Sequence, residues 1–110
     1  MPESDKRGTF QVLVDRILHG KGTASAELRG QAFADSGLPA PVDTLISKVA
    51  ARPAEVTEAD FAGGVAAGYS EDQLFELVVC AAVGQSARMY DAGLAALAGA
   101  VGEAGPDHAA

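Results

Sequence analysis

The stretch SEDQLFELVVCAAVG, residues 70–84, restricts the possible folds of this chain more than any other segment. Ser70 and Gln73 have the spacing of a capping box, in which each side chain bonds to the other residue's backbone N–H at a helix N-terminus. In the ten residues from Leu74 to Val83, only Glu76 is polar. A helix that is apolar on nearly all sides must be covered on nearly all sides by other elements. We expect these elements to be helices, so the run predicts an all-α protein.

Four shorter helices are predicted upstream of this one from apolar spacing and capping residues. Ser25 or Thr23 can cap the second helix, Pro41 suits the first turn of the third, and Thr57 can cap the fourth. No segment shows the alternation of a strand. The predicted helices cover residues 10–19, about 25–36, 41–52, 57–68 and 70–97. The predicted domain organisation is a flexible N-terminus, 1–8, a single helical domain, 9–98, and a flexible tail, 99–110.

The net charge of −7 makes nucleic acids and anionic membranes unfavourable partners. A single cysteine excludes an intrachain disulfide. The polar start, MPESDKRGTF, has no apolar core of a signal peptide, and no apolar run reaches the roughly 20 residues that cross a bilayer. These features predict a cytoplasmic protein with neither nucleic-acid nor membrane partners.

The apolar run from Leu74 to Val83 also predicts a homo-oligomer. The chain has few and short helices with which to cover the whole circumference of this run, so a second subunit is expected to cover part of it.

Three ordered segments resemble the carboxymuconolactone decarboxylase and alkylhydroperoxidase D-like family. They are Arg52-Pro-Ala-Glu-Val-Thr57, Ala66-Ala-Gly-Tyr-Ser-Glu-Asp-Gln-Leu-Phe-Glu76, and an apolar helix that carries Arg88. The resemblance covers roughly residues 42–97. It implies an all-α fold of about five helices with a long apolar C-terminal helix, in which helices pack across subunits.

The redox members of that family use a Cys-x-x-Cys pair with a nearby histidine, upstream of the region that is similar here. The corresponding segment, Ala40 to Arg52, contains neither cysteine nor histidine. Where the family has Asn before Arg, this chain has Ala87 before Arg88. The resemblance therefore implies the fold and no thiol peroxidase activity.

Cys80 is either a reactive thiol or a small buried hydrophobic residue. A reactive thiol needs a neighbouring cation or a helix N-terminus. Cys80 follows the cap by about ten residues, well beyond the first turn, where the helix dipole has little effect. Its apolar neighbours favour the buried role.

No catalytic residue is assigned from the sequence, and the candidates are Glu76, Arg88 and Tyr69. Glu76 is either a buried acid or base with a raised pKa, a group that faces a groove, or a partner of an arginine such as Arg88 on another helix or subunit. Tyr69 stands where a hydrophobic staple would pack near Leu74.

The two histidines, His19 and His108, do not have the spacing of metal ligands. His19 stands at a predicted helix C-terminus, a position that favours a basic side chain, and His108 lies in the tail. Gly63-Gly64 has no preceding strand and no following Gly-Lys-Ser/Thr, so it is not a phosphate loop. Neither a metal nor a cofactor is predicted.

Two functions remain open from the sequence. The first is a non-catalytic helical protein that oligomerises or binds a protein partner. The second is a cysteine-independent decarboxylase or lyase that acts on a small organic acid through Glu76, Tyr69 or Arg88.

Overall fold

A computed structural model of the chain describes residues 3–103, and this part of the chain is helical without any strand. The prediction of an all-α protein is confirmed. The helices, in chain order, are α1 (Glu3–His19), α2 (Ala26–Ala34), α3 (Val42–Ala51), α4 (Glu58–Ala66) and α5 (Glu71–Glu103), with a short 3-10 helix (Pro53–Glu55) between α3 and α4.

Two of the predicted caps are present with the predicted hydrogen bonds. The Ser25 hydroxyl accepts the backbone N–H of Leu28 at 3.1 Å and so begins α2. At the start of α5, the Ser70 N–H donates to Oε1 of Gln73 at 2.9 Å, and the Gln73 N–H donates to Oγ of Ser70 at 3.0 Å. Local sequence therefore fixes where these two helices begin.

The first and last helices are longer than predicted. α1 begins at Glu3 rather than near Phe10, and α5 continues to Glu103, past the predicted end at Leu97. Both extensions lack an amphipathic pattern, so apolar spacing does not reveal them, although alanine in the second is the best helix former. The predicted flexible ends are thus helical over 3–8 and 99–103. Residues 1–2 and 104–110, with His108, lie outside the described residues.

The core forms where α5 packs against α2 and α3. Leu45 and Ile46 of α3 and Leu74 and Leu77 of α5 are among its largest fully buried side chains. Each such side chain contributes about 1.5–3 kcal/mol through its burial.

The apolar run from Leu74 to Val83 is covered mainly by the chain's own helices. Of its ten residues, only Phe75 and Ala82 are exposed, and the homo-oligomer stays a prediction. The other exposed large apolar side chains of the described residues lie outside this run, at Val12, Leu13, Phe61, Val65, Met89, Leu97 and Val101.

The C-terminal end of α2 meets the middle of α5 at Gly84. A β-carbon added there would overlap the carbonyl oxygen of Phe33. The same carbonyl accepts a hydrogen bond from Nη1 of Arg88 at 2.7 Å. Glycine therefore permits the close approach of the two backbones, and a cation one turn later stabilises the C-terminal end of α2.

Within residues 3–103, no helix is both long and apolar enough to cross a membrane.

Candidate functional site

A cavity of about 180 Å³ lies where the end of α1, the following loop, α2 and the first half of α5 meet. It is called here the Arg29 cavity. Its walls combine charged and apolar side chains, which are Arg16, Ile17, Lys21, Arg29, Phe75, Glu76, Val79 and Cys80.

Arg29 of α2 is a buried cation, with 8% of its surface exposed. Its Nη1 donates to the carbonyl oxygens of Ile17 at 3.2 Å and of Gly20 at 2.8 Å. Carbonyls at the C-terminal end of a helix lack helical partners, and a cation is favoured there. Nε of Arg29 is buried and has no hydrogen-bond partner among the residues that the structure describes.

Glu76 of α5 holds the loop between α1 and α2. Its Oε2 accepts the Thr23 backbone N–H at 2.7 Å and the Thr23 hydroxyl, and its Oε1 accepts the Ala24 N–H at 3.1 Å. Burial, the largest single influence, raises the pKa of Glu76, but the bonds from Thr23 and Ala24 and the charge of Arg29 outweigh it. The pKa of Glu76 is therefore lowered, and the side chain is an anion at neutral pH.

Cys80 lies at the cavity wall with 1% of its surface exposed, which confirms the expectation of a buried residue. Its Sγ is 3.8 Å from the carbonyl oxygen of Ile17. Burial raises the pKa of the Cys80 thiol and Glu76 adds to the increase, while Arg29 opposes it. The thiol is therefore protonated at neutral pH, which is the opposite of what a nucleophilic cysteine needs.

The other two candidates from the sequence do not join this cavity. Arg88 bonds to the Phe33 carbonyl and, through Nη2, to Oε1 of Gln85 at 3.1 Å. Tyr69 is half-buried and packs against the hydrophobic core. The structure thus gives Glu76 and Arg88 separate partners and does not bring the three candidates together.

Sequence reasoning missed Arg29 and Thr23. The signal for Arg29 is its position three residues before Ala32 and four before Phe33, which places a cation on the inward face of α2. Thr23 carries no such signal, because its role depends on a contact with Glu76 that is 53 residues away in sequence.

A second surface, called here the α4 groove, lies along α4 and the first turn of α5. It has a volume of about 760 Å³ and apolar walls that include Phe61, Val65 and Phe75. Gly64 faces the core, where an added β-carbon would collide with Leu74. α4 therefore packs through a glycine and leaves its larger apolar side chains exposed.

No group of three or more His, Cys, Asp and Glu side chains in the described part of the chain could hold a metal ion. No family model, curated protein or solved structure matches this chain. The resemblance to the carboxymuconolactone decarboxylase family stays a prediction.

Proposed function

We propose that the protein is a non-catalytic helical protein that assembles with a second copy of itself. The observation that supports this best is the orientation of α4. Gly64 packs against Leu74, while the neighbouring Phe61 and Val65 are exposed and line the same groove as Phe75. An apolar surface of this kind commonly marks a binding site for another protein surface.

The charges at the α4 groove favour one occupant over others. Its charged walls are all acidic, at Glu58, Glu71 and Asp72. Two grooves packed face to face would bring these carboxylates together, which is unfavourable. The complementary surface therefore combines apolar side chains with a cation.

Such a surface is present on α1 of the same chain. Val12 and Leu13 are exposed, with 60% and 48% of their surfaces accessible, and the exposed cation Arg16 follows one turn later. Residues 12, 13 and 16 share a helix face, called here the α1 stripe. We assign the α1 stripe of a second copy as the occupant of the α4 groove.

The state of the ionisable groups supports a non-catalytic role. A general acid at neutral pH needs a raised carboxyl pKa, whereas the pKa of Glu76 is lowered. A nucleophilic thiol needs a lowered pKa, whereas the pKa of Cys80 is raised. The three residues of the alternative, a cysteine-independent decarboxylase, do not meet, because Arg88 and Tyr69 lie outside the cavity that Glu76 lines.

Sedimentation equilibrium of the wild-type chain and three variants tests the proposal. The wild type is expected to have a mass above the 11.1 kDa of one chain. Leu13→Glu and Val65→Glu should each reduce it to the monomer, because each places a charge in the contact. Val101→Glu is the matched control, since Val101 is equally apolar and 65% exposed but lies outside both surfaces.

Three outcomes contradict the proposal. A monomeric wild type at high micromolar concentration excludes self-assembly and leaves a basic amphipathic helix of another protein as the candidate for the groove. Assembly that persists in folded Val65→Glu removes the α4 groove from the contact. Dissociation by Val65→Glu but not by Leu13→Glu excludes the α1 stripe as the occupant of the α4 groove.

A further inference from the structure

We propose that the Arg29 cavity binds a small monocarboxylate with an apolar body. The inference does not rest on self-assembly. The cavity shares Arg16 and Phe75 with the proposed contact, but Lys21, Arg29 and Val79 belong to neither the α1 stripe nor the α4 groove.

The charge of the cavity favours an anion. Arg16, Lys21 and Arg29 line it together with Glu76, so three cations and one carboxylate leave a net charge of +2 in a chain whose total is −7. Neither Arg16 nor Lys21 forms an ion pair with any side chain between residues 8 and 102. Glu76 competes little with a ligand for these cations, because donors from Thr23 and Ala24 already engage both of its oxygens.

The bonding of Arg29 suits an oxyanion such as a carboxylate. A guanidinium has five N–H donors in a planar fork. Nη1 is used by the carbonyls of Ile17 and Gly20, while the buried Nε has no partner in the described part of the chain. The buried Nε–H therefore lacks an acceptor, and together with Nη2–H it would offer two parallel donors that match the two oxygens of a carboxylate.

The walls and the volume define the rest of the ligand. Ile17, Phe75 and Val79 provide apolar surface, and Cys80 contributes an uncharged thiol. The cavity volume of about 180 Å³ slightly exceeds the roughly 150 Å³ of an apolar cavity that holds benzene. A single ring or a short branched chain that bears one carboxylate fits this space.

Titration with benzoate, followed by ¹H–¹⁵N NMR on the arginine Nε–H signals, tests the inference. The Arg29 Nε–H signal is identified by its loss in Arg29→Lys. It is expected to shift saturably at millimolar benzoate, because the carboxylate becomes its acceptor. Benzamide has the same ring without the charge and should leave the signal unchanged, and inorganic phosphate should not saturate it.

Variants that spare the bonds of Arg29 to α1 provide a second readout. Arg16→Gln and Lys21→Gln should each weaken benzoate binding about two- to fivefold, the range for one partly exposed ion contact. Arg52→Gln, which removes an exposed cation outside the cavity, should not. Val79→Phe should abolish binding by filling the cavity without a change of charge.

An Arg29 Nε–H signal that benzoate does not move would overturn the proposal. An equal response to benzamide would also overturn it, since the carboxylate would not be recognised. Saturation by phosphate would show that the ligand does not need an apolar body. If Arg29→Lys does not fold, unchanged affinity in both Lys21→Gln and Val79→Phe refutes the site. Val65→Glu keeps every side chain of the cavity and should still bind benzoate as a monomer, which separates this inference from the assembly proposal.

Discussion

The carboxylate of Glu76 accepts the backbone N–H of Thr23 at 2.7 Å, across 53 residues of sequence. Through this bond, α5 fixes the loop between α1 and α2, and the Ala24 N–H adds a second anchor at 3.1 Å. The only charge in the apolar run of α5 thus has a structural partner. Its position beside Arg29 also keeps the loop at the edge of the Arg29 cavity.

Glu76→Gln is expected to lower the free energy of unfolding at pH 7 by about 1–2 kcal/mol, because hydrogen bonds to a charged acceptor become bonds to a neutral one. The pKa of Glu76 is lowered from its ordinary value of 4.5. Its stabilising effect is therefore complete above about pH 4.5 and is lost as the pH falls through the lower, folded-state pKa. Denaturant titrations from pH 7 to pH 3 measure the difference.

The control for this prediction is Asp91→Asn, an exposed carboxylate on the same helix. It should change the stability by less than about 0.5 kcal/mol at any of these pH values. A cost of Glu76→Gln that stays constant down to pH 3 would show that the ionised form of Glu76 is not what stabilises the loop.

Glu76 and Arg88 are expected to contribute independently to stability. They lie twelve residues apart on α5, about 18 Å along the helix, and Arg88 donates to the Phe33 carbonyl instead. The costs of Glu76→Gln and Arg88→Met should therefore add to within about 0.5 kcal/mol in the double variant. A larger coupling energy in denaturant titrations, corrected for chain concentration, would mean that the two side chains meet across a subunit boundary.

The features that depend on neighbouring residues could be predicted from the sequence. The caps at Ser25 and Ser70 are local, because donor and acceptor are three residues apart, and both are present. The burial of Leu74 and Leu77 follows from their positions in the apolar run. Each of these needs only a helix and its period.

The features that depend on how helices pack could not be predicted. Apolar periodicity places the large side chains of a helix toward the core, yet α4 packs through Gly64 and exposes Phe61 and Val65. A glycine allows a backbone approach that a hydrophobic pattern does not encode. The cavity was missed for the same reason, because Arg29 meets Ile17 and Gly20 only after α1 and α2 pack.

Gly84→Ala is expected to destabilise the protein by about 1–3 kcal/mol, the usual cost of overpacking, because the added methyl group overlaps the Phe33 carbonyl. Gly93→Ala on the same helix is the matched control. A β-carbon there has no atom within 4 Å, so alanine should stabilise the helix by about 0.5–1 kcal/mol. Thermal unfolding of both variants should give shifts of opposite sign, and a stabilised Gly84→Ala would contradict the close approach of α2 to α5.

The Cys80 thiol is expected to be almost unreactive in the folded protein. Burial, with 1% of the residue exposed, raises its pKa, so the thiolate is scarce at pH 8. Uncharged iodoacetamide should therefore alkylate it slowly in native buffer and quickly in guanidinium chloride, as mass spectrometry can measure. Rapid alkylation of the folded chain, or peroxide turnover that is lost in a folded Cys80→Ala variant, would identify a functional thiol instead.

Leu13→Glu and Val65→Glu are each expected to be monomeric alone. When mixed, they should form a heterodimer if the α1 stripe of one copy binds the α4 groove of another. Leu13→Glu keeps an intact groove and Val65→Glu keeps an intact stripe, so one good contact remains in their mixture. Sedimentation equilibrium should then show a 1:1 heterodimer of about 22 kDa, twice the 11.1 kDa of one chain. The mixture cannot grow further, because the second contact carries both glutamates. If the two grooves instead pack face to face, Leu13→Glu will form homodimers on its own, Val65→Glu will stay monomeric, and no 1:1 heterodimer will be found.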